Sequence, residues 1–273
     1  MTHSGADIAQ LLSTHGLRPS RALGQNFVAD PNTVRRIARL AGLRHGDRVL
    51  EIGAGLGSLT LALAETGAQV VAVETDRHVV PVLRSVVEPA GVEVVEGDAL
   101  ALDLAALLVA QGGGEWSLVA NLPYNVATPL VLRILTEVPA VTRLLVMVQR
   151  EVGERMAAAA GEAAYGAVSV RVAYFARAEV LGRVPASVFI PRPRVESVLV
   201  RLVRRPTPAV DPALVSYERL DAVVRAGFGQ RRKMLRRSLA GVVEPAAFAR
   251  AGVRPEARAE ELDVAAWGRL AAC

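Results

Sequence analysis

Residues 49–57 read Val-Leu-Glu-Ile-Gly-Ala-Gly-Leu-Gly, a short apolar run that stops on three alternating glycines. Val49–Ile52 predicts a strand, Ser58–Glu65 predicts a helix, and the glycines make the tight turn between them. Glycine allows both the turn and the close approach of a ligand to the backbone. A strand, a glycine turn and a helix in this order point to an α/β fold with a nucleotide site at the turn. The competing reading is a strand–helix turn that holds nothing.

The pattern repeats along the chain. Val70–Val73, Val92–Val95, Leu118–Ala120 and Leu144–Val148 predict further strands. Helices are predicted from Val79 to Val86, Thr128 to Glu137 and Glu151 to Ala160. An earlier helix starts at the Asp30 N-cap with Pro31 behind it and ends at Gly42. Alternating elements of this kind imply a mostly parallel sheet with helices on both faces. After Tyr165 the pattern shifts. Ala167–Phe175 and Ser197–Val203 predict two closing strands, antiparallel, with a proline-rich loop at 189–195 between them. Residues 205–212 read as a linker, and the rest is helical with breaks at Pro245 and Pro255. The expected domains are therefore 1–206 and a small all-helical 207–273.

Each early strand stops on a distinctive residue: Gly53, Glu74, Asp98 after Gly97, and Asn121. In open α/β sheets ligands bind at the carboxyl ends of strands, so all four would face one crevice. An acid at the end of the second strand suits ribose hydroxyls, and Asp98 suits an exocyclic amine. The turn is G-x-G-x-G, short of the dinucleotide G-x-G-x-x-G that seats a pyrophosphate on a helix N-terminus. A phosphate-free nucleoside cofactor, S-adenosylmethionine rather than NAD, fits the shorter turn.

Asn121-Leu-Pro-Tyr124 closes the fourth strand. Asn121 carries an amide oxygen that accepts a hydrogen bond. Pro123 biases Leu122 away from helix, leaving the Leu122 carbonyl to accept a second N–H. Tyr124 offers a ring on which a base stacks. Together they form a grip for the amine of a flat base, here adenine N6, whose lone pair is delocalised into the ring. Taken alone, the four residues also fit a turn with a buried tyrosine.

The net charge of +5 leans toward a polyanionic partner. Arginine dominates the basic residues, since Lys233 is the only lysine, so clustering is more informative than content. Arg225, Arg231, Arg232, Lys233, Arg236 and Arg237 lie within 225–237, which contains no acid. Arg232 with Arg236, and Lys233 with Arg237, share one side at i, i+4 spacing if this run is one helix. A solvated helix face usually mixes signs, so nucleic-acid contact is favoured. No apolar stretch reaches membrane-span length, and residues 1–10 do not read as a signal peptide. The single cysteine, Cys273, forms no internal disulfide, and the four histidines show no metal spacing. A reducing cytoplasm is the expected compartment.

These motifs resemble the ribosomal RNA adenine dimethylase family along nearly the whole chain. The resemblance runs through Leu23-Gly-Gln-Asn-Phe27, Glu51–Gly57, Glu74-Thr-Asp76, Glu96-Gly-Asp98, Asn121-Leu-Pro-Tyr-Asn125, Phe189–Ser197 and Phe228–Lys233. Val28 and Glu196 depart mildly from the commoner leucine and aspartate. The resemblance implies a Rossmann-like methyltransferase domain with a helical C-terminal domain that binds RNA. It implies S-adenosylmethionine-dependent N6,N6-dimethylation of two adjacent adenosines near the 3′ end of 16S ribosomal RNA, within the small ribosomal subunit before it matures (pre-30S). Catalytic roles fall on Asn121, Leu122 and Tyr124. Cofactor roles fall on Gln25, Asn26, Val28, Gly53, Gly55, Glu74, Asp98 and Asn121, with 1–30 covering the cofactor. A monomer without metal is expected. A sister group methylates large-subunit RNA and confers macrolide-type resistance. It more often carries Ile and Phe where this chain has Leu122 and Tyr124. A non-catalytic assembly or transcription factor on the same fold, and a DNA adenine methylase, also compete with the main reading.

Overall fold

The computed structural model describes residues 2–273. In chain order the elements are α1 (Gly5–Thr14), β1 (Phe27–Val28), α2 (Pro31–Ala41), β2 (Arg48–Ile52), α3 (Ser58–Ala64), β3 (Gln69–Glu74) and α4 (Val80–Val87). Then come β4 (Glu93–Glu96), α5 (Leu104–Ala110), β5 (Trp116–Asn121), α6 (Ala127–Glu137), β6 (Val141–Gln149) and α7 (Arg150–Ala157). They are followed by α8 (Ala167–Phe175), β7 (Ala176–Val184), β8 (Phe189–Ile190), β9 (Ser197–Arg204), α9 (Tyr217–Gly229), α10 (Leu235–Ser238), α11 (Pro245–Ala251) and α12 (Val264–Ala272).

Contacts divide the chain into two compact units, one running to residue 153 and taking in 180–202, the other made of 154–179 and 203–273. The first unit is built on a seven-stranded sheet of order β4-β3-β2-β5-β6-β9-β7, in which β4, β3, β2, β5 and β6 run parallel. Both faces of its central strands are buried. Val49, Val70, Ala72 and Val119 pack with Val34 and Ile37 of α2, Leu59 and Leu63 of α3, and Leu83 of α4. The alternate residues Leu50, Val71, Leu118 and Leu144 are buried on the opposite face. That is why these strands are apolar throughout and end sharply on polar residues. Helix α2 starts and stops where its sequence signals say. Asp30 accepts from the Asn32 and Thr33 amides, and Gly42 closes the helix in a left-handed conformation. β1 and β8 form a separate antiparallel pair, Phe27 opposite Ile190 and Val28 opposite Phe189.

The second unit is helical. Its core gathers Val170 and Tyr174 of α8, Leu220, Val223 and Val224 of α9, Leu235 of α10, Phe248 of α11, and Trp267 and Leu270 of α12. Here the expectation of a strand over Ala167–Phe175 is corrected: the segment is helix α8, and the strand is the next segment, β7. Ala-Val-Ser-Val-Arg-Val-Ala-Tyr-Phe carries β-branched residues at strand-like spacing. Its pairs Val170–Tyr174 and Ser169–Val172 are nevertheless the ones buried, at helical spacing, and tertiary packing outweighs a weak propensity. An ion pair between Arg171 and Asp221 ties α8 to α9. The helical unit therefore takes in 154–179 as well as the chain's end. Helices α1 and α5 and strand β7 had no expectation in the sequence, and Phe27–Val28 and the start of the loop at 189 each supply a strand of the small pair.

Candidate functional site

Gly53, Gly55, Glu74, Asp98, Asn121, Leu122 and Tyr124 line one cavity at the carboxyl ends of β2 to β5, and Gln25, Asn26 and Val28 line it from the N-terminal segment. Parallel strands deliver their last residues to the same edge, which brings together positions up to about seventy apart in sequence.

The glycine turn is closely packed. Gly55 has φ +57°, and a Cβ on it would stand 2.9 Å from the Phe27 ring. Gly53 has φ +75° and lies against the Asn121 carbonyl and Pro123. The N-terminal segment thus sits over the turn. Gly24 approaches Pro123 and Asn125, and Gln25 donates to the Asp76 carboxylate at 2.7 Å while accepting from the Ser20 amide. Gln25 is therefore a brace of the segment. The Asn26 side chain donates to the Gly24 carbonyl, and its own carbonyl takes the Asn121 amide N–H at 3.0 Å.

That last bond matters for Asn121. With its NH₂ donated to Asn26, the amide oxygen is left as an acceptor, and among the described residues it accepts nothing. The Leu122 N–H is paired with the Met147 carbonyl, but no described residue donates to the Leu122 carbonyl. Tyr124 is half-buried, and its hydroxyl meets Ser197 Oγ at 2.9 Å. Burial raises the Tyr124 pKa, against the opposing pull of Ser197.

Glu74 is buried and accepts three backbone amides: Gly55 at 2.8 Å on one oxygen, Thr75 and Asp76 at 2.9 Å on the other. A carboxylate offers about four acceptor sites, so roughly one remains where the sequence suggested a grip on both ribose hydroxyls. Desolvation raises the Glu74 pKa despite these donors. Asp98 is exposed, and one of its oxygens accepts from the Leu100 amide.

The sequence reading missed Glu51. It is 1% exposed on β2, on the face shared with Val49, and it lines the same cavity. One of its oxygens has no hydrogen-bond partner, and the Ser58 hydroxyl nearby is also unpartnered. Burial and the adjacent Glu74 carboxyl push Glu51 up to about 8. Its signal was visible: an acid two residues before the first glycine, inside an otherwise apolar strand.

No Arg, Lys or His lines the cavity, whereas three carboxyls do. Such a donor set does not hold phosphate. Apolar walls from Phe27, Leu56, Leu59, Leu100 and Leu130, a glycine cradle and unpartnered buried oxygens suit a cationic, phosphate-free nucleoside.

The basic run is not one helix. α9 ends at Gly229, Arg231–Lys233 lie in a turn, and only Arg236 and Arg237 stand on α10. The i, i+4 face expected from Arg232 to Arg237 is thereby corrected, because Gln230–Met234 breaks the helix. Acids from elsewhere also reach the run: Asp221 pairs with Arg225, Glu260 with Arg231 and Glu256 with Arg236. Arg232, Lys233 and Arg237 have no ion-pair partner among the described residues.

The model of a family described as ribosomal RNA adenine dimethylase matches residues 17–272. The chain is 46% identical to a ribosomal RNA small subunit methyltransferase A of Acidothermus cellulolyticus, over 97% of this chain and 92% of that one. It is 45% identical to a protein of the same name from Streptomyces avermitilis, over 97% and 92%. Among solved structures it is similar to the 23S rRNA methyltransferase ErmE, with 28% identity, a TM-score of 0.70 and 90% and 98% coverage. It also shares its fold with a dimethyladenosine transferase from Plasmodium falciparum, at 24% identity, a TM-score of 0.72 and 88% and 94% coverage.

Proposed function

This chain belongs to the ribosomal RNA adenine dimethylase family, and from that premise we propose that it methylates N6 of two adjacent adenosines, twice each, in the 3′-terminal hairpin of 16S ribosomal RNA. S-adenosylmethionine supplies an electrophilic methyl group on a sulfonium. The observation that carries the catalytic reading is the pair of unpartnered acceptors, Asn121 Oδ1 and the Leu122 carbonyl, side by side at the cavity.

Adenine N6 is a poor nucleophile because its lone pair is shared with the ring. Two acceptors on its N–H groups in the first transfer, and one on the single N–H that remains in the second, favour a pyramidal nitrogen and stabilise the positive charge that develops as it attacks. The Asn26 carbonyl holds the Asn121 amide so that its oxygen, and not its nitrogen, faces the amine. The Tyr124 ring, pinned through its hydroxyl, stacks on a base that has left the helix and keeps N6 in line. Gly53 and Gly55 would admit the cofactor against the backbone, the free site on Glu74 would take one ribose hydroxyl, and Asp98 would take an adenine amine. The backbone of Asn26 and Val28 closes the cavity. The methyl group would leave a neutral thioether behind, and the extra proton on the methylated N6 would pass to solvent, so these residues need only orient and polarise.

Arg232, Lys233 and Arg237 are assigned to RNA phosphates, with Arg225, Arg231 and Arg236 serving the helical unit first. The substrate is assigned as the immature small subunit (pre-30S) in the cytoplasm, with the protein acting as a monomer and without metal. The 45–46% identity to small-subunit enzymes, against 28% to the large-subunit one, supports the choice of RNA. The test is transfer of labelled methyl groups from S-adenosylmethionine to small subunits from cells lacking the modification. Label in two neighbouring adenosines is expected. Transfer to naked large-subunit RNA and none to small subunits would overturn the reading.

A further inference from the structure

The carboxyl of Glu51 is an anomaly in this cavity. It sits at the cavity wall almost wholly out of solvent, with one oxygen unpartnered, whereas its neighbour Glu74 is covered by three amide donors. A buried polar atom left unsatisfied asks for a ligand or a function. The groups around it do not supply one. The Glu74 carboxyl of β3 and the Thr60 hydroxyl of α3 act on it, and Ser58 of α3 and the neutral Asn121 of β5 line the same cavity. The remaining titratable groups of the cavity are Asp98 beyond β4 and Tyr124 beyond β5. None is basic. Among the described residues no cationic side chain lines the cavity to balance a negative charge on Glu51, so the side chain stays protonated near neutral pH, as its upward displacement to about 8, against the pull of the Thr60 hydroxyl, also indicates.

Methyl transfer changes the cofactor by one charge. The donor carries a sulfonium, and the spent product carries a neutral thioether in the same place. Both molecules carry the same α-ammonium group, so a buried carboxyl that is neutral by default distinguishes them if it ionises in response to the sulfonium.

We propose that Glu51 is the group by which this cavity tells the charged methyl donor from its neutral product, giving up its proton to solvent when the sulfonium enters and taking one back once the methyl group has gone. This rests on the cofactor assignment above and adds a direction: donor binding is strengthened by ionised Glu51, and product, lacking the charge, is let go.

The test uses the full-length protein and calorimetric titration with S-adenosylmethionine and, separately, S-adenosylhomocysteine. Buffers of different ionisation enthalpy report the protons exchanged. Close to one proton should be released per donor bound near neutral pH, and close to none per product. Between about pH 5.5 and 7 the α-amino groups of both ligands stay charged. Over that range the donor-to-product affinity ratio should rise at least about tenfold. Glu51→Gln keeps the shape without the proton, and in it both the release and the pH trend should vanish. Equal release with both ligands, or release with neither, would overturn the proposal from the unaltered protein alone, whatever the variant's folding. Persistence of the trend in a folded Glu51→Gln protein would assign it to another carboxyl and also overturn it. If neither ligand binds, the cofactor assignment itself fails, a result distinct from binding without discrimination.

Discussion

The Tyr124 phenol and the Ser197 hydroxyl lie 2.9 Å apart, which fastens the turn after β5 to the first residue of β9. Ser197 is fully buried, so the bond fixes the ring from behind. Removing it in Ser197→Ala should lower kcat about five- to tenfold, the worth of about one hydrogen bond, with KM for S-adenosylmethionine nearly unchanged. Tyr124→Phe, which keeps the ring and loses the same bond, should match it. Steady-state kinetics on small subunits provide the check. A change confined to KM would mean that the ring serves binding only.

Asn121→Ala removes one of the two acceptors and the link to the Asn26 carbonyl. Turnover should fall about 10²- to 10³-fold, the range seen when a single preorganised partner of a developing charge is lost. RNA binding, measured by filter retention, should survive, because the cavity wall does not contact the phosphates assigned to the helical unit.

The two halves of the basic run should behave differently. Replacing Arg232, Lys233 and Arg237 with alanine should reduce the salt dependence of RNA binding, by about 0.7 to 0.9 in log–log slope for each phosphate no longer neutralised. Replacing Arg225, Arg231 and Arg236 leaves Glu260 and Glu256 without these partners and Asp221 with Arg171 alone, and should chiefly lower thermal stability, by a modest amount because the three arginines are largely exposed. Salt titrations and melting curves of the two triple variants separate the outcomes.

Glu51 also makes the protein's stability depend on pH. Its ordinary carboxyl value of 4.5 is raised to about 8 by folding. Between those values the folded protein holds a proton that the unfolded chain has released. The stabilisation from that raised value is full below about 4.5 and is lost as pH rises toward 8, with a slope approaching about 1.4 kcal/mol per pH unit. Glu51→Gln removes the trend. Urea unfolding at pH 5.5 and 7.5 should therefore show the variant gaining on the unaltered protein at the higher pH.

Gly53, Glu74, Asp98 and Asn121 were legible in the sequence because parallel strands buried on both faces read as short apolar runs, and a polar residue marks where each run leaves the sheet. The Asp30–Gly42 helix was legible for a similar local reason, its cap and stop being chemically distinctive. Ala167–Phe175 was not. Its apolar and β-branched residues satisfy strand and helix patterns alike, and only the packing of Val170 and Tyr174 against α9 and α12 selects the helix.

Local patterning by itself thus determined the α/β class, the glycine turn, the strand-end positions and the amine-gripping motif, because each depends on residues close in the chain. Tertiary structure alone decided the rest. It brought Asn26 to orient Asn121 and Ser197 to hold Tyr124 across 73 residues. It supplied Asp221, Glu256 and Glu260 to half of a basic run that contains no acid of its own. It also buried Glu51 beside Glu74 in a cavity lined by no cationic side chain among the described residues. The strength of a charge or a hydrogen bond depends on what surrounds it, and those surroundings come from parts of the chain that meet only when it folds.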